Sequence, residues 1–394
     1  MELKPDVSVT IASRQTAIRP KVWIVLILLS ILLVAFGHTW FIQINASVPS
    51  GNPLQPTSDN RNYQAIYNGE YDKVILGQRY RVLMPLLARL LPGSFFDAAR
   101  VISYVSLAVF YAAMMWLSMA IGQSLRVSFF SVLLIYSSTI HQYNYWNPYE
   151  TDCLSLGIGA LLLAALVTRR PIMFAVALAL GVLGRETNIL FAPLAFLMGI
   201  PAGLLSSLAA LAAYVGPRLV IPHDSEGTIA YVIRNAILVN RERSVASFLR
   251  QLIVSWGPMW LMLLLGLRCV RDSKLRRQIE WFTLYLLAIC FATSVYAYDV
   301  VRMQNPLTYV VFLAAVFWLQ ETESRWRWSV VACLVIARLA LYRPNLLWPS
   351  VESRALVKQI EMLVEALILV GLTISTRGFT RHSLAARNGV PTTR

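Results

Sequence analysis

Residues 22–41 read VWIVLILLSILLVAFGHTWF and contain no charged side chain. A helix needs about 20 consecutive apolar residues to cross the hydrocarbon core of a bilayer. Basic residues precede the stretch (Lys4, Arg14, Arg19 and Lys21), as they do in signal peptides, whose apolar part has only about 7–15 residues. The stretch is therefore predicted to be an uncleaved first transmembrane span.

The rest of the chain continues this pattern. Of its 394 residues, 57% are hydrophobic and only 14% are charged, whereas a soluble domain is about 25% charged. The apolar runs are continuous, which excludes an alternating β-barrel and favours helices that satisfy their own backbone. We therefore predict an all-α fold: a polytopic membrane helix bundle of about 12 spans, forming one transmembrane domain over residues 1–394. The predicted spans are 22–42, 100–121, 126–141, 152–168, 171–184, 188–200, 203–221, 252–268, 280–297, 305–320, 327–343 and 356–376.

Basic residues predict the orientation of the bundle. The net charge of +15 would suggest nucleic-acid binding in a soluble protein, but no basic stretch carries interleaved aromatic residues, so no nucleic-acid partner is expected. With a cytoplasmic N-terminus, cytoplasmic segments hold about half of the 35 basic residues but fewer than a third of the 20 acidic ones, as the positive-inside rule requires. We expect both termini to be cytoplasmic, in a bacterial plasma (inner) membrane.

Two long segments are predicted on the extracytoplasmic side, residues 43–99 and 222–251. Within the first, residues 59–69 and 79–91 have the periodicity of amphipathic helices that lie along the membrane interface. The four cysteines and four histidines are scattered along the chain, without the spacing of a disulfide framework or a metal site. The sequence predicts no cofactor and no metal ligands, and a divalent metal has no support in it.

Acidic residues gather on the outer side of the predicted bundle, although hydrocarbon penalises charge unless something polar is bound there. Asp59 opens the first amphipathic segment. Its carboxylate could remove a proton from an acceptor hydroxyl as a general base, or it could cap the N-terminus of a helix.

Further candidate binding residues follow in later loops. The loop at 141–152, HQYNYWNPYETD, ends in Glu150 and Asp152; its aromatic residues could stack on a sugar or form an interfacial belt. Arg185 and Glu186 are adjacent opposite charges between two apolar runs, so they need partners or a water-filled cavity; a structural pair between helices is the alternative.

Asp299 and Arg302 are three residues apart, a spacing that lets one side chain orient the other on a helix. Arg343 is the last residue of the eleventh predicted span. It could bind phosphate with its planar guanidinium or extend its side chain to the interface.

Three motifs together resemble the GT-C superfamily of multi-span glycosyltransferases that use polyprenyl-phosphate sugars. They are Asp59 with a downstream tyrosine in the first outer loop, RYRVLMPLL at 79–87, and GRETNILFAP at 184–193. The likeness covers the first half of the chain well and the second half only in the layout of its spans. It implies that Asp59 is the catalytic residue and that arginines stabilise the departing lipid phosphate: Arg185, Arg302 and Arg343, with Arg79 or Arg81 as alternatives.

The same resemblance implies a polyprenyl-phosphate-linked sugar as donor and a glycan, lipid or protein as acceptor. Many members have two adjacent acidic residues in this loop, whereas Asp59 is flanked by Ser58 and Asn60. Two rival functions stay open. A lipid-linked polysaccharide polymerase would depend on the arginines of 222–251, and a multi-span transporter or flippase would explain a broken region near 184–187.

Overall fold

The computed structural model describes residues 20–43, 58–75, 78–138, 144–145, 147–221, 259–270, 273–295 and 303–321, with isolated positions at 141 and between 230 and 367. All regular structure in these residues is helical, which confirms the predicted all-α class. The predicted segment 222–251 and the sites Asp299, Arg302 and Arg343 lie largely or wholly outside the described residues.

The helices follow one another in a simple order. The α-helices are α1 (Pro20–Gly37), α2 (Ser58–Asn68), α3 (Leu83–Ala88), α4 (Phe95–Ala120), α5 (Leu125–Tyr136), α6 (Asp152–Val167), α7 (Pro171–Gly184), α8 (Ile200–Val220), α9 (Met259–Cys269), α10 (Ser273–Val295) and α11 (Thr308–Glu321). A π-helix, His38–Gln43, extends α1, and Glu186–Met198 forms a long 3-10 helix after α7. Short 3-10 turns occupy Tyr71–Lys73 and Asn305–Leu307.

Three helical stretches among the described residues are long and apolar enough to cross a membrane: Lys21–Trp40, Phe95–Ala120 and Ile200–Val220. Large apolar side chains on these helices, such as Leu32 and Leu208, are more than half exposed. Extended apolar exposure of this kind suits contact with lipid. The helices therefore associate the protein with a membrane, and the full number of spans stays a prediction.

The two short spans predicted at 171–184 and 188–200 differ in their winding. Helix α7 has 14 residues, which gives about 21 Å at 1.5 Å per residue. The 3-10 helix Glu186–Met198 has 13 residues but reaches about 26 Å, because each residue rises about 2 Å. Its tighter winding brings a short segment close to the roughly 30 Å thickness of the hydrocarbon core.

Small residues let the helices approach closely at two crossings. A Cβ on Gly157 of α6 would lie 2.8 Å from the backbone oxygen of Ser106 in α4. A Cβ on Gly266 of α9 would overlap the backbone of Ala314 in α11. Close backbone contact through glycine is typical of helix pairs in membranes, where apolar burial alone drives little association.

Helices α6 and α7 form a hairpin that determines where the polar residues lie. The turn between them is a Schellman motif, in which the N–H of Arg170 donates to Ala165 O at 2.8 Å and that of Arg169 donates to Leu166 O at 3.2 Å. We call this turn, Thr168 to Arg170, the basic turn. Asp152 begins α6 and Arg185 follows α7, so both lie at the opposite end of the hairpin, which we call the polar end.

Candidate functional site

The polar end is organised by the loop that leads into α6. Glu150, Thr151 and Asp152, at the junction of this loop and α6, are buried. Thr151 and Asp152 bond residues distant in sequence, and Glu150 bonds Asn147, which bonds Asn60. Buried polar side chains need such partners because an unsatisfied group costs about 1–3 kcal/mol. The loop therefore joins three groups of residues that are distant in sequence.

The first group is a buried ion pair between α6 and the end of α7. Arg185 donates from Nη1 to Asp152 Oδ1, and Asn305 donates from Nδ2 to the same oxygen at 3.1 Å. Both charged side chains are less than 10% exposed. The second terminal nitrogen of Arg185, Nη2, lies 3.3 Å from Met303 Sδ, and a thioether is a weak acceptor. Among the described residues, the guanidinium of Arg185 therefore has a strong partner at Nη1 and only a weak one at Nη2.

The second group ties the first long loop to the residue after Arg185. Arg81 donates from Nε to Glu186 Oε2 at 3.0 Å and from Nη1 to Tyr63 OH at 3.2 Å. Tyr63 OH in turn lies 3.4 Å from Thr151 Oγ1. Burial by itself would lower the pKa of Arg81, but Tyr63 and Glu186 raise it, and the pKa lies well above its usual value. Arg81 therefore carries a permanent charge that connects α2, the α6 loop and the 3-10 helix.

The third group places the neighbour of Asp59 against the same loop. Asn60 donates from Nδ2 to Asn147 Oδ1 at 2.9 Å, and Asn147 donates to Glu150 Oε1. Asp59 lies in the first turn of α2 and is partly exposed. The N-terminus of α2 is therefore anchored to the loop that carries Glu150, Thr151 and Asp152.

A small cavity adjoins the ion pair. It is lined by residues of α6, of the segment after α7, of α10, and of α11 and the segment that leads into it. The polar ones are Ser155, Arg185, Thr187, Asn188, Thr293, Asn305 and Tyr309, and the others, such as Leu156, Phe191 and Ile289, are apolar. Next to it, Gln304 is fully buried, and neither of its amide atoms has a hydrogen-bond partner among the described residues. The polar groups are part of a lining that is otherwise apolar, and the space is small enough that a water or one polar group of a ligand would satisfy them.

Apart from Asp59 at the N-terminus of α2, the sequence-predicted residues that the structure describes fall into two classes. Asp152, Arg185, Arg81 and Glu186 belong to joined groups at the polar end, and Glu150 belongs to the Asn147 contact beside them. Arg79 is buried elsewhere: it donates from Nη2 to Val74 O at 3.0 Å and so holds its own loop.

Several contributing residues were not singled out from the sequence: Tyr63, Asn147, Thr151, Met303 and Asn305. They are uncharged, and nothing in their spacing distinguishes them from ordinary polar residues at helix ends. The density of hydrogen-bonding groups in the 141–152 loop was the one available signal, and it pointed to the right loop without naming the bonding residues.

Among the described residues, no group of three or more His, Cys, Asp or Glu side chains is placed to hold a metal ion. The acidic residues at the polar end are engaged instead by arginine and asparagine side chains. No protein-family model, curated protein or solved structure matches this chain.

Proposed function

We propose that this chain is a polytopic membrane glycosyltransferase of about 12 spans, similar to the GT-C superfamily, that acts on the extracytoplasmic side. It transfers a sugar from a polyprenyl-phosphate donor to an acceptor hydroxyl. The observation that supports this most strongly is the group of charges at the polar end, where the buried pair Asp152–Arg185 lies beside the partly exposed pair Arg81–Glu186 and the four residues come from three distant segments. Charges kept together at the end of lipid-embedded helices indicate a polar substrate.

Arg185 is the best candidate for the donor phosphate. Asp152 binds one side of its guanidinium and is itself held by Asn305, and among the described residues the other side meets the sulfur of Met303 and lines the cavity. A phosphate oxygen is a far stronger acceptor than a thioether, and arginine binds phosphate through a planar fork of N–H groups. The donor phosphate would therefore replace the contact with Met303. Arg302 and Arg343 stay further candidates for this role, with Arg81 as an alternative.

Asp59 is the proposed general base. The acceptor oxygen forms a bond to the anomeric carbon, while the bond from that carbon to the phosphate oxygen breaks and its electron pair leaves with the lipid phosphate. Asp59 takes the proton of the acceptor hydroxyl, and the arginines stabilise the new phosphate charge. The contacts of Asn60 and Asn147 support this role because they anchor the base to the loop beside Arg185.

A direct assay tests the proposal. Purified protein would be incubated with radiolabelled polyprenyl-phosphate sugars and candidate glycan, lipid and protein acceptors. Asp59→Asn should lower the rate of transfer by about 10²-fold or more, the usual contribution of a general base. Asp72→Asn, the same change at an exposed acid of the same loop, should leave the rate unchanged. Full transfer by Asp59→Asn would exclude this residue as the base.

The helix break at Arg185 favours a second candidate function, a transporter or flippase. Arg185 has extended backbone between α7 and the 3-10 helix, and transporters often bind substrate where a helix is broken. Movement of a lipid-linked sugar in sealed vesicles without a covalent product would favour this function. Loss of activity on alanine substitution of Arg234 and Arg241, with Asp59→Asn unaffected, would instead favour a lipid-linked polysaccharide polymerase.

A further inference from the structure

A second feature lies at the other end of the α6–α7 hairpin. An open groove runs between the two helices, and apart from the basic turn its lining is apolar: Ile158, Leu161, Pro171, Ile172, Met173, Val176, Ala177 and Leu180. Ile172, Val176 and Leu180 are each more than 40% exposed. Arg169 and Arg170 line the end of the groove at the basic turn. The groove is therefore apolar along its length and positively charged at one end.

The length of the groove corresponds to one leaflet of a bilayer. From Arg170 to Leu180 the chain rises about 15 Å along α7, at 1.5 Å per residue. On α6 the groove reaches Ile158, about 14 Å from the end of that helix at Val167 by the same rise. The hydrocarbon core of a bilayer is about 30 Å thick. A single acyl chain that enters at the basic turn would therefore end near the middle of the membrane.

The two arginines at its mouth are open to a ligand. Both are exposed, and no described acidic side chain forms an ion pair with either. Arg169 has φ of 52°, in the left-handed region that glycine adopts readily and other residues avoid. Glycine is the usual residue at this position of a Schellman motif, so an arginine here indicates a use for its side chain.

We propose that this groove binds an anionic glycerophospholipid, with one acyl chain along α6 and α7 and the phosphate at Arg169 and Arg170. The arrangement of basic residues along the chain assigns the basic turn to the cytoplasmic leaflet, where anionic headgroups are enriched. Charge selects the headgroup and the apolar lining binds the chain. The site is separate from the polar end and does not depend on the glycosyltransferase proposal.

Native mass spectrometry of the full chain in a mild detergent tests this site. Dioleoyl-phosphatidylglycerol and dioleoyl-phosphatidylcholine would be titrated, since they share acyl chains and differ in headgroup charge. Wild-type protein should bind the anionic lipid more tightly. Changing Arg169→Gln and Arg170→Gln should weaken that binding by about fivefold for each arginine. Val176→Trp, which fills the groove, should weaken binding of both lipids.

Arg126→Gln is the matched control. Arg126 is exposed at the start of α5, is assigned to the same membrane face, and does not line the groove, so its removal should leave lipid binding unchanged. Equal binding of the two lipids by wild type would overturn the proposal. So would a loss in Arg126→Gln as large as in the two groove variants, or displacement of the lipid by inorganic phosphate alone.

Discussion

The α6–α7 hairpin carries arginine at both of its ends, and the surroundings of the two ends differ. At the polar end, Arg185 is buried and pairs with Asp152, which also accepts a hydrogen bond from Asn305. At the basic turn, Arg169 and Arg170 are exposed beside an apolar groove. A buried charge is tolerated only with partners, whereas an exposed arginine at a membrane surface can bind lipid headgroups. The same residue type is thus part of the internal framework at one end and of an external surface at the other.

The largest expected effect follows from breaking the buried pair. Asp152→Ala leaves the guanidinium of Arg185 buried without its carboxylate. Loss of one partner of a buried pair typically costs about 3–5 kcal/mol. We expect the midpoint of thermal unfolding in detergent to fall more for this variant than for any other described here.

Asp72→Ala serves as the control for that measurement, because Asp72 is an exposed acid, and surface changes usually stay within about 0.5 kcal/mol. Similar midpoints for the two variants would mean that the pair at the polar end does not hold the hairpin together.

A smaller loss of stability is expected at the partly exposed Arg81–Glu186 pair of the polar end. Arg81→Lys keeps the charge, but an ammonium cannot reproduce the fork that reaches both Glu186 and Tyr63. We expect the free energy of unfolding to fall by about 1–2 kcal/mol. Arg61→Lys, at an exposed position of α2, should change it little.

A double-mutant cycle with Tyr63→Phe sharpens this prediction. If Arg81 acts through both partners, the losses from Arg81→Lys and Tyr63→Phe should not add, because the two residues share one hydrogen bond. Additive losses would show that Tyr63 and Arg81 stabilise the polar end independently.

The sequence predicted the class of fold because hydrocarbon leaves few alternatives. Continuous apolar runs must form helices, and α7 occupies the residues predicted for it, 171–184. Helix α10 begins at Ser273 rather than near 280, since hydropathy marks the lipid-embedded part of a helix and the helix itself continues into polar sequence. The 3-10 winding of Glu186–Met198 was not predicted, because apolar periodicity does not distinguish it from an α-helix over so short a segment.

The sequence predicted which charged residues belong to the candidate site, but it did not predict which residues they pair with. Charged residues inside apolar runs must find partners, which singled out Arg185 and Glu186, whereas Asp152 was predicted from its place at the end of the polar 141–152 loop. A direct pair between Arg185 and Glu186 was one expected outcome, but each bonds a residue elsewhere. The backbone of Arg185 is extended (φ −158°, ψ 119°), and successive side chains of an extended segment point to opposite sides. Such a local break in a helix cannot be read from composition.

At the basic turn, a substitution of Arg169 can separate folding stability from lipid binding. Arg169→Gly should raise the free energy of unfolding by about 1 kcal/mol, because glycine adopts a positive φ without the steric cost that arginine carries. The same variant should bind dioleoyl-phosphatidylglycerol more weakly. Lower stability in Arg169→Gly would indicate that the arginine side chain supports the turn, and would count against a role in lipid binding.

The smallest expected effect is at the neighbouring residue. Arg170→Gln removes an exposed charge and keeps a side chain that can follow the same path, so the free energy of unfolding should change by less than about 0.5 kcal/mol. Unlike Arg185, Arg170 has no buried partner among the described residues whose charge would be left behind. Thermal unfolding in detergent and lipid titration of the same sample would show how much the substitution changes stability and how much it changes lipid affinity. A destabilisation approaching that of Asp152→Ala would erase the difference between the two ends of the hairpin, since it would show that the basic turn also depends on its charges to fold.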